Sequence, residues 1–158
     1  MGPETRFVSV TGSFPLFPFR ERLYWPMWEW GEARMSPILS YRDLVVWQQS
    51  LELAKLCYFK TRSFPRTEAF GLTSQIRRAG ASIPGNIAEG NGRESTGYYI
   101  QSLRVSQGSL KELESHVLLA QAVELLPGAD AEQILSKCER VGKLLRALIR
   151  SLQDKAEA

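Results

Sequence analysis

The feature that most constrains this chain lies in residues 99–120. Tyr99, Leu103, Ser106, Leu110, Leu113, Val117 and Ala120 follow one another at steps of four, three, four, three, four and three. Residues three and four apart share one face of an α-helix, so this spacing lays a single buried stripe along about six turns. A period this regular asks for long antiparallel neighbours packed at shallow angles. Ser95 stands ahead of the stripe as an N-cap, and Leu126-Pro127-Gly128 closes the segment behind it. Ser106, Gly108 and Ser109 are small and mid-helix, so another helix can approach there closely.

Three other segments carry helical spacing. Leu44, Trp47, Leu51, Ala54 and Tyr58 predict a first helix, with Asp43 suiting its positive end and Lys60 and Arg62 its negative end. Ser63-Phe64-Pro65 stops it, because proline disfavours helical geometry in the residue before it. A second helix is predicted from Thr67 or Glu68, with Leu72, Ile76, Ala79, Ile83 and Ile87 as its stripe. Pro84 falls inside it, removes one backbone donor and opposes the Gly80 carbonyl, so a kink is expected there. Gly90-Asn91-Gly92 ends that helix.

In the last helix Asp130 is read as the cap and Gln133 as completing a capping box. Its stripe is Ile134, Cys138, Val141, Leu145, Leu148 and Leu152, which Leu135, Leu144 and Ile149 widen to a second side. A helix apolar on two sides in so small a bundle points to a subunit interface. The connections are short and residues 41–158 show no strand-like alternation. The predicted fold class is all-α: an up-and-down antiparallel four-helix bundle with a kinked second helix.

Residues 1–40 are different in kind. They hold five of the eight prolines and eight of the sixteen aromatic residues, and no period survives the prolines. Two readings stand: a partner-binding arm that packs on the bundle of residues 41–158, or a start-site artefact in which translation begins at Met35. Pro15 and Pro18 break the only apolar run that could serve as a secretory signal, and no stretch is long enough to span a bilayer. A cytoplasmic location is therefore expected, away from membranes. Two cysteines and one histidine leave no disulfide framework and no cysteine-rich zinc site, and neither a metal nor a cofactor is expected.

Twenty Lys and Arg against seventeen Asp and Glu give a net charge of +3, which permits a nucleic-acid partner if the cations cluster. Two clusters qualify. On the second helix Arg78, Ser82, Gly85, Glu89 and Arg93 share one side, with Asn86 beside them. One reading is a polar seam of Arg78, Ser82, Asn86 and Glu89 that fixes register or joins subunits. The other is a phosphate site using Arg77, Arg78 and Arg93. Arg78 and Glu89 stand about 16 Å apart along a helix, so a pairing between them needs another helix or subunit. On the last helix Lys137, Arg140, Lys143, Arg146 and Arg150 wind around the outer side as a basic strip, read either as nucleic-acid contacts or as solvated charge that complements the helix dipole. Glu89 has no second carboxylate or histidine in a regular pattern, and no nucleotide loop or nucleophile elbow occurs, so no enzyme activity is expected. The aromatic residues after position 40 fall mostly on heptad positions, which speaks against a stacking platform for single strands.

Tyr41-Arg42-Asp43-Leu44 with Val46-Trp47-Gln48, Leu72 with Gln75-Ile76-Arg77-Arg78-Ala79, Ser82-Ile83-Pro84, Asn86-Ile87-Ala88-Glu89-Gly90 and Gly108-Ser109-Leu110-Lys111-Glu112-Leu113 form a specific combination. It resembles the bacterial four-helix-bundle proteins of the 23S rRNA intervening-sequence family over residues 41–153. Gly85 departs from it where a Ser or Ala is expected, and residues 1–40 have no counterpart. The resemblance implies a homopentamer without known enzymatic activity. A related branch, the accessory variability determinant of diversity-generating retroelements, binds nucleic acid and a reverse transcriptase through basic surfaces. By that analogy Arg77, Arg78 and Arg93 come first as contacts to RNA or an RNA/DNA hybrid, and the strip on the last helix second. The expected function is a non-catalytic, ring-forming accessory factor that binds nucleic acid; the alternative is a protein-interaction scaffold.

Overall fold

The computed structural model describes residues 40–93 and 95–157, so both readings of the N-terminal extension lie outside the described residues. Four α-helices follow in order: α1 (Val45–Lys60), α2 (Leu72–Gly92), α3 (Thr96–Ala122) and α4 (Gly128–Glu157). Single 3-10 turns at Tyr41–Asp43, Thr61–Ser63 and Arg66–Glu68 shape the approaches, and no strand occurs among the described residues. Each helix packs on its neighbours in sequence, and α4 returns to α1 to close a ring. Partners across the α2–α3 and α1–α2 seams run in opposite order: Ser82 meets Ser109 while Gly90 abuts Tyr99 and Ser102, and Gly80 faces Ala54 and Cys57 while Arg77 reaches Thr61. The architecture is the expected all-α, up-and-down four-helix bundle.

The α3 stripe is buried at every position predicted for it. In α1 the phase differs from the prediction. Val46, Ser50, Leu53, Ala54 and Cys57 are buried, whereas Leu51 and Tyr58 are exposed. The cause lies across the seam: a Cβ on Gly80 would come within 3.6 Å of Ala54 Cα and Cys57 Sγ. At that separation α1 must present its slim residues, and the ring of Tyr58 turns outward.

α2 starts at Leu72, later than the sequence suggests. Pro65 and the turn at Arg66–Glu68 intervene, and the Glu68 carboxylate accepts the Leu72 N–H at 3.1 Å, serving the helix from four residues ahead. From there α2 continues as one helix through Pro84. α3 ends in a left-handed turn with Glu124 at φ 61°, where the Glu124 N–H bonds Gln121 O and the Leu125 N–H bonds Ala120 O.

α4 also departs from expectation at its start. The Pro127 carbonyl takes the N–H groups of Asp130 and Ala131, so Asp130 sits inside the first turn and its carboxylate binds Lys60 of α1 instead of capping. The extra apolar residues of α4 are absorbed within the bundle: Ile149 is buried, and Leu135 and Leu144 pack against the core. Ile149 thus belongs to the core, while Leu135 and Leu144 keep part of their surface outside it. Most of the large apolar side chains that do face outward lie on α1 and α3, among them Val45, Leu51, Val105 and Leu119, and Phe70 stands exposed just before α2.

Candidate nucleic-acid interface

The polar seam on α2 forms with different members from those predicted. Ser82 Oγ lies 2.9 Å from Ser109 Oγ of α3, and the Asn86 amide donates to Ser82 O at 2.8 Å and Ser82 Oγ at 3.0 Å. The Ser106 hydroxyl donates to the Ile83 carbonyl at 3.1 Å. These bonds pair every polar group they touch, and they fix the register of α2 on α3. Arg78 and Glu89 stand outside this network. Arg78 is exposed and makes no ion pair among the described residues, and Glu89 bonds Arg93 one turn on at 2.6 Å. Arg93 also stacks on Tyr98 at 5.4 Å.

Arg77 is held rather than free. Its Nε donates to Thr61 Oγ1 at 2.8 Å, and its guanidinium lies 4.9 Å over the ring of Tyr58. Thr61 itself is buried and donates to Cys57 O, so the whole contact is anchored to the end of α1. Arg62 lies 4.4 Å over Phe59 beside it. Adjacent Arg77 and Arg78 thus part company: one closes a seam and the other meets solvent.

On α4, residues 137–150 carry five cations and one acid, Glu139. Lys143 pairs with Glu139 at 2.7 Å and is the chief cause that lowers the Glu139 pKa, with Arg146 adding to it. Lys137, Arg140, Arg146 and Arg150 make no ion pair among the described residues. At about 100° per residue the strip turns through half the helix circumference between Lys137 and Arg146, so it is a spiral rather than a single face. Arg146 borders an open groove of about 510 Å³ between α3 and α4, with Lys111 and Glu114 opposite.

The remaining polar residue types sit in ordinary surroundings. Cys57 and Cys138 are buried free thiols, and burial pushes both up to about 12. His116 is half-buried with Glu112 one turn before it at 3.7 Å. The Tyr99 hydroxyl is buried and makes no hydrogen bond of good geometry among the described residues. Burial raises its pKa and the Asn91 amide tempers the rise. Sequence reasoning missed the exposed ring of Tyr58 and its hold on Arg77. The available signal was the second α1 series, Val46, Ser50, Leu53 and Cys57, whose spacing is as regular as the first.

A ring-closed helical bundle whose outer surface carries cations without an ion pair among the described residues defines the class of this protein. The profile of the 23S rRNA-intervening sequence protein family matches residues 42–147, and the chain belongs to that family. No curated protein matches it. A solved structure from Bacteroides thetaiotaomicron, a protein with unknown function from the S23 ribosomal protein family, is similar at 28% identity and a TM-score of 0.59. The match covers 66% of this chain and 98% of that one. No helix among the described residues is long and apolar enough to cross a membrane.

Proposed function

We propose that this chain is a non-catalytic, homopentameric accessory protein that binds structured RNA or an RNA/DNA hybrid through phosphate contacts. The observation that carries this reading is the α4 surface, where four of five cations between Lys137 and Arg150 lack an acidic partner among the described residues. Guanidinium groups left free of carboxylates are available to phosphates, and such contacts give affinity with little sequence information. Repetition of the spiral around a ring multiplies the field that a single bundle presents.

The test is a salt titration of binding to an RNA duplex by the full chain. Affinity should fall steeply between about 50 and about 200 mM salt as condensed counterions are displaced. Arg140→Glu with Arg146→Glu should weaken binding and flatten the salt slope while leaving the oligomer mass unchanged. Absence of binding at low salt would return the scaffold reading, in which these cations are only solvated.

A further inference from the structure

We propose that the outward side of α1 near its C-terminus, completed by Arg77 of α2, is a stacking site for unpaired bases of single-stranded RNA. The proposal goes beyond the duplex reading above, adding a single-stranded ligand at a separate surface, and rests on its nucleic-acid part. Leu51, Lys55 and Tyr58 follow at steps of four and three along α1, outside its buried stripe; Phe59 is the next residue, and Arg62 lies just beyond in the Thr61–Ser63 turn. Tyr58 and Phe59 are each about half exposed, at 48% and 49%, so these two rings depart from the expectation that the aromatic residues sit on buried heptad positions unfit for stacking single strands. Lone exposed apolar side chains are common on any surface. Here two adjacent aromatic rings each carry a guanidinium, Arg77 at 4.9 Å and Arg62 at 4.4 Å.

That arrangement is preorganised. Thr61 accepts from Nε of Arg77 at 2.8 Å, and its carbonyl accepts from a terminal nitrogen at 3.4 Å, so the guanidinium is fixed before any ligand arrives. Fixing it in advance lowers the entropy cost of binding. Neither Arg62 nor Arg77 has a carboxylate partner among the described residues, whereas Lys55 pairs with Glu52 at 3.5 Å. A base stacks on an aromatic ring or on an arginine plane, while the edges of the same arginine meet phosphate. At about 100° per residue the two rings point in different directions around α1, so each ring–guanidinium pair offers its own stacking face for one base. Bases in a duplex are already stacked on one another, so the site selects single strands. Of the two other ring–guanidinium pairs among the described residues, Arg93 on Tyr98 is neutralised by Glu89, and Arg42 lies farther off, 5.7 Å over the half-buried Tyr41, whose ring packs edge-on against Trp47.

The experiment is fluorescence anisotropy with the full chain, using a labelled oligouridine and a blunt RNA duplex of equal length. The variant is Tyr58→Leu with Phe59→Leu, which keeps apolar bulk and removes both π faces. It should bind oligouridine at least about tenfold more weakly and the duplex within about twofold of the parent. Arg62→Ala, at an exposed position, should show the same selectivity, which separates loss of the site from loss of fold. Unchanged oligouridine affinity in the Leu variant overturns the proposal, and so does an equal loss for both probes. Parent chain that binds duplex but not oligouridine refutes this site alone. Parent chain that binds neither refutes the nucleic-acid reading with it.

Discussion

Glu124 occupies the position after α3 at which helices most often place glycine, and it does so at φ 61°. A side chain there crowds its own backbone, at a cost of roughly 1–2 kcal/mol that glycine avoids but partly offsets through its greater unfolded entropy. Glu124→Gly is therefore expected to stabilise the bundle by about 0.5–1 kcal/mol, a rise of roughly 2–5 °C in Tm by circular dichroism. The two thiols make an opposite kind of demand. Unfolded, they titrate near the reference value of 9.0; folded, burial holds both up to about 12. The native chain keeps protons that the unfolded chain releases, so their contribution is complete below pH 9 and is lost as pH climbs toward 12. The slope is about 1.4 kcal/mol per pH unit for each thiol. Tm measured against pH above 9 should fall less steeply in Cys57→Ala with Cys138→Ala than in the parent.

At the level of elements, α2 and α3 touch most closely at Gly90, where a Cβ would stand 2.7 Å from Ser102 Cβ and 2.8 Å from Tyr99 Cδ2. Gly90→Ala must push the helices apart and should cost about 1–3 kcal/mol in urea unfolding. Gly108 lies on α3 with nothing within 4 Å of an added Cβ, so Gly108→Ala should instead gain about 0.5–1 kcal/mol from helix propensity. The same contrast in surroundings decided which helices could be read from sequence. α3 carries one unbroken apolar series, and its facing follows directly. α1 carries two interleaved series, and spacing fixes the angle between residues without saying which series faces inward. The choice was made by Gly80 on another helix, information that no window along α1 contains. The start of α2 was hidden for a related reason, since Glu68 acts through a side chain reaching past Gly71 to Leu72.

For the whole molecule, the ring of four helices and the family follow from motifs spread over α1 to α3, and these were legible in the sequence. The site was legible only as a set of cations. Which of them are spent inside the bundle depends on partners distant in sequence: Thr61 engages Arg77, while Arg78 beside it stays exposed. That exposure moves Arg78 from the intramolecular seam to the outer surface, where a subunit contact can use it. Under the pentamer reading, Arg78→Ala should lower the light-scattering mass; an unchanged mass would assign Arg78 to ligand rather than assembly.

Lys60 and Asp130, seventy positions apart in the chain, clasp α1 to α4, and Cys57 and Cys138 lie buried close to one another within the same bundle. The other three seams join helices consecutive in sequence, and α2 on α3 is the broadest of them. The bundle is thus built like a book, with α2 and α3 as its spine and the α1–α4 seam as its fore-edge. Partial opening at that edge would bare both sulfurs while the Ser82–Ser109 spine stays shut. The rate at which a small alkylating reagent reaches the thiols, set against amide exchange along α2 and α3, would clock the covers separately from the binding.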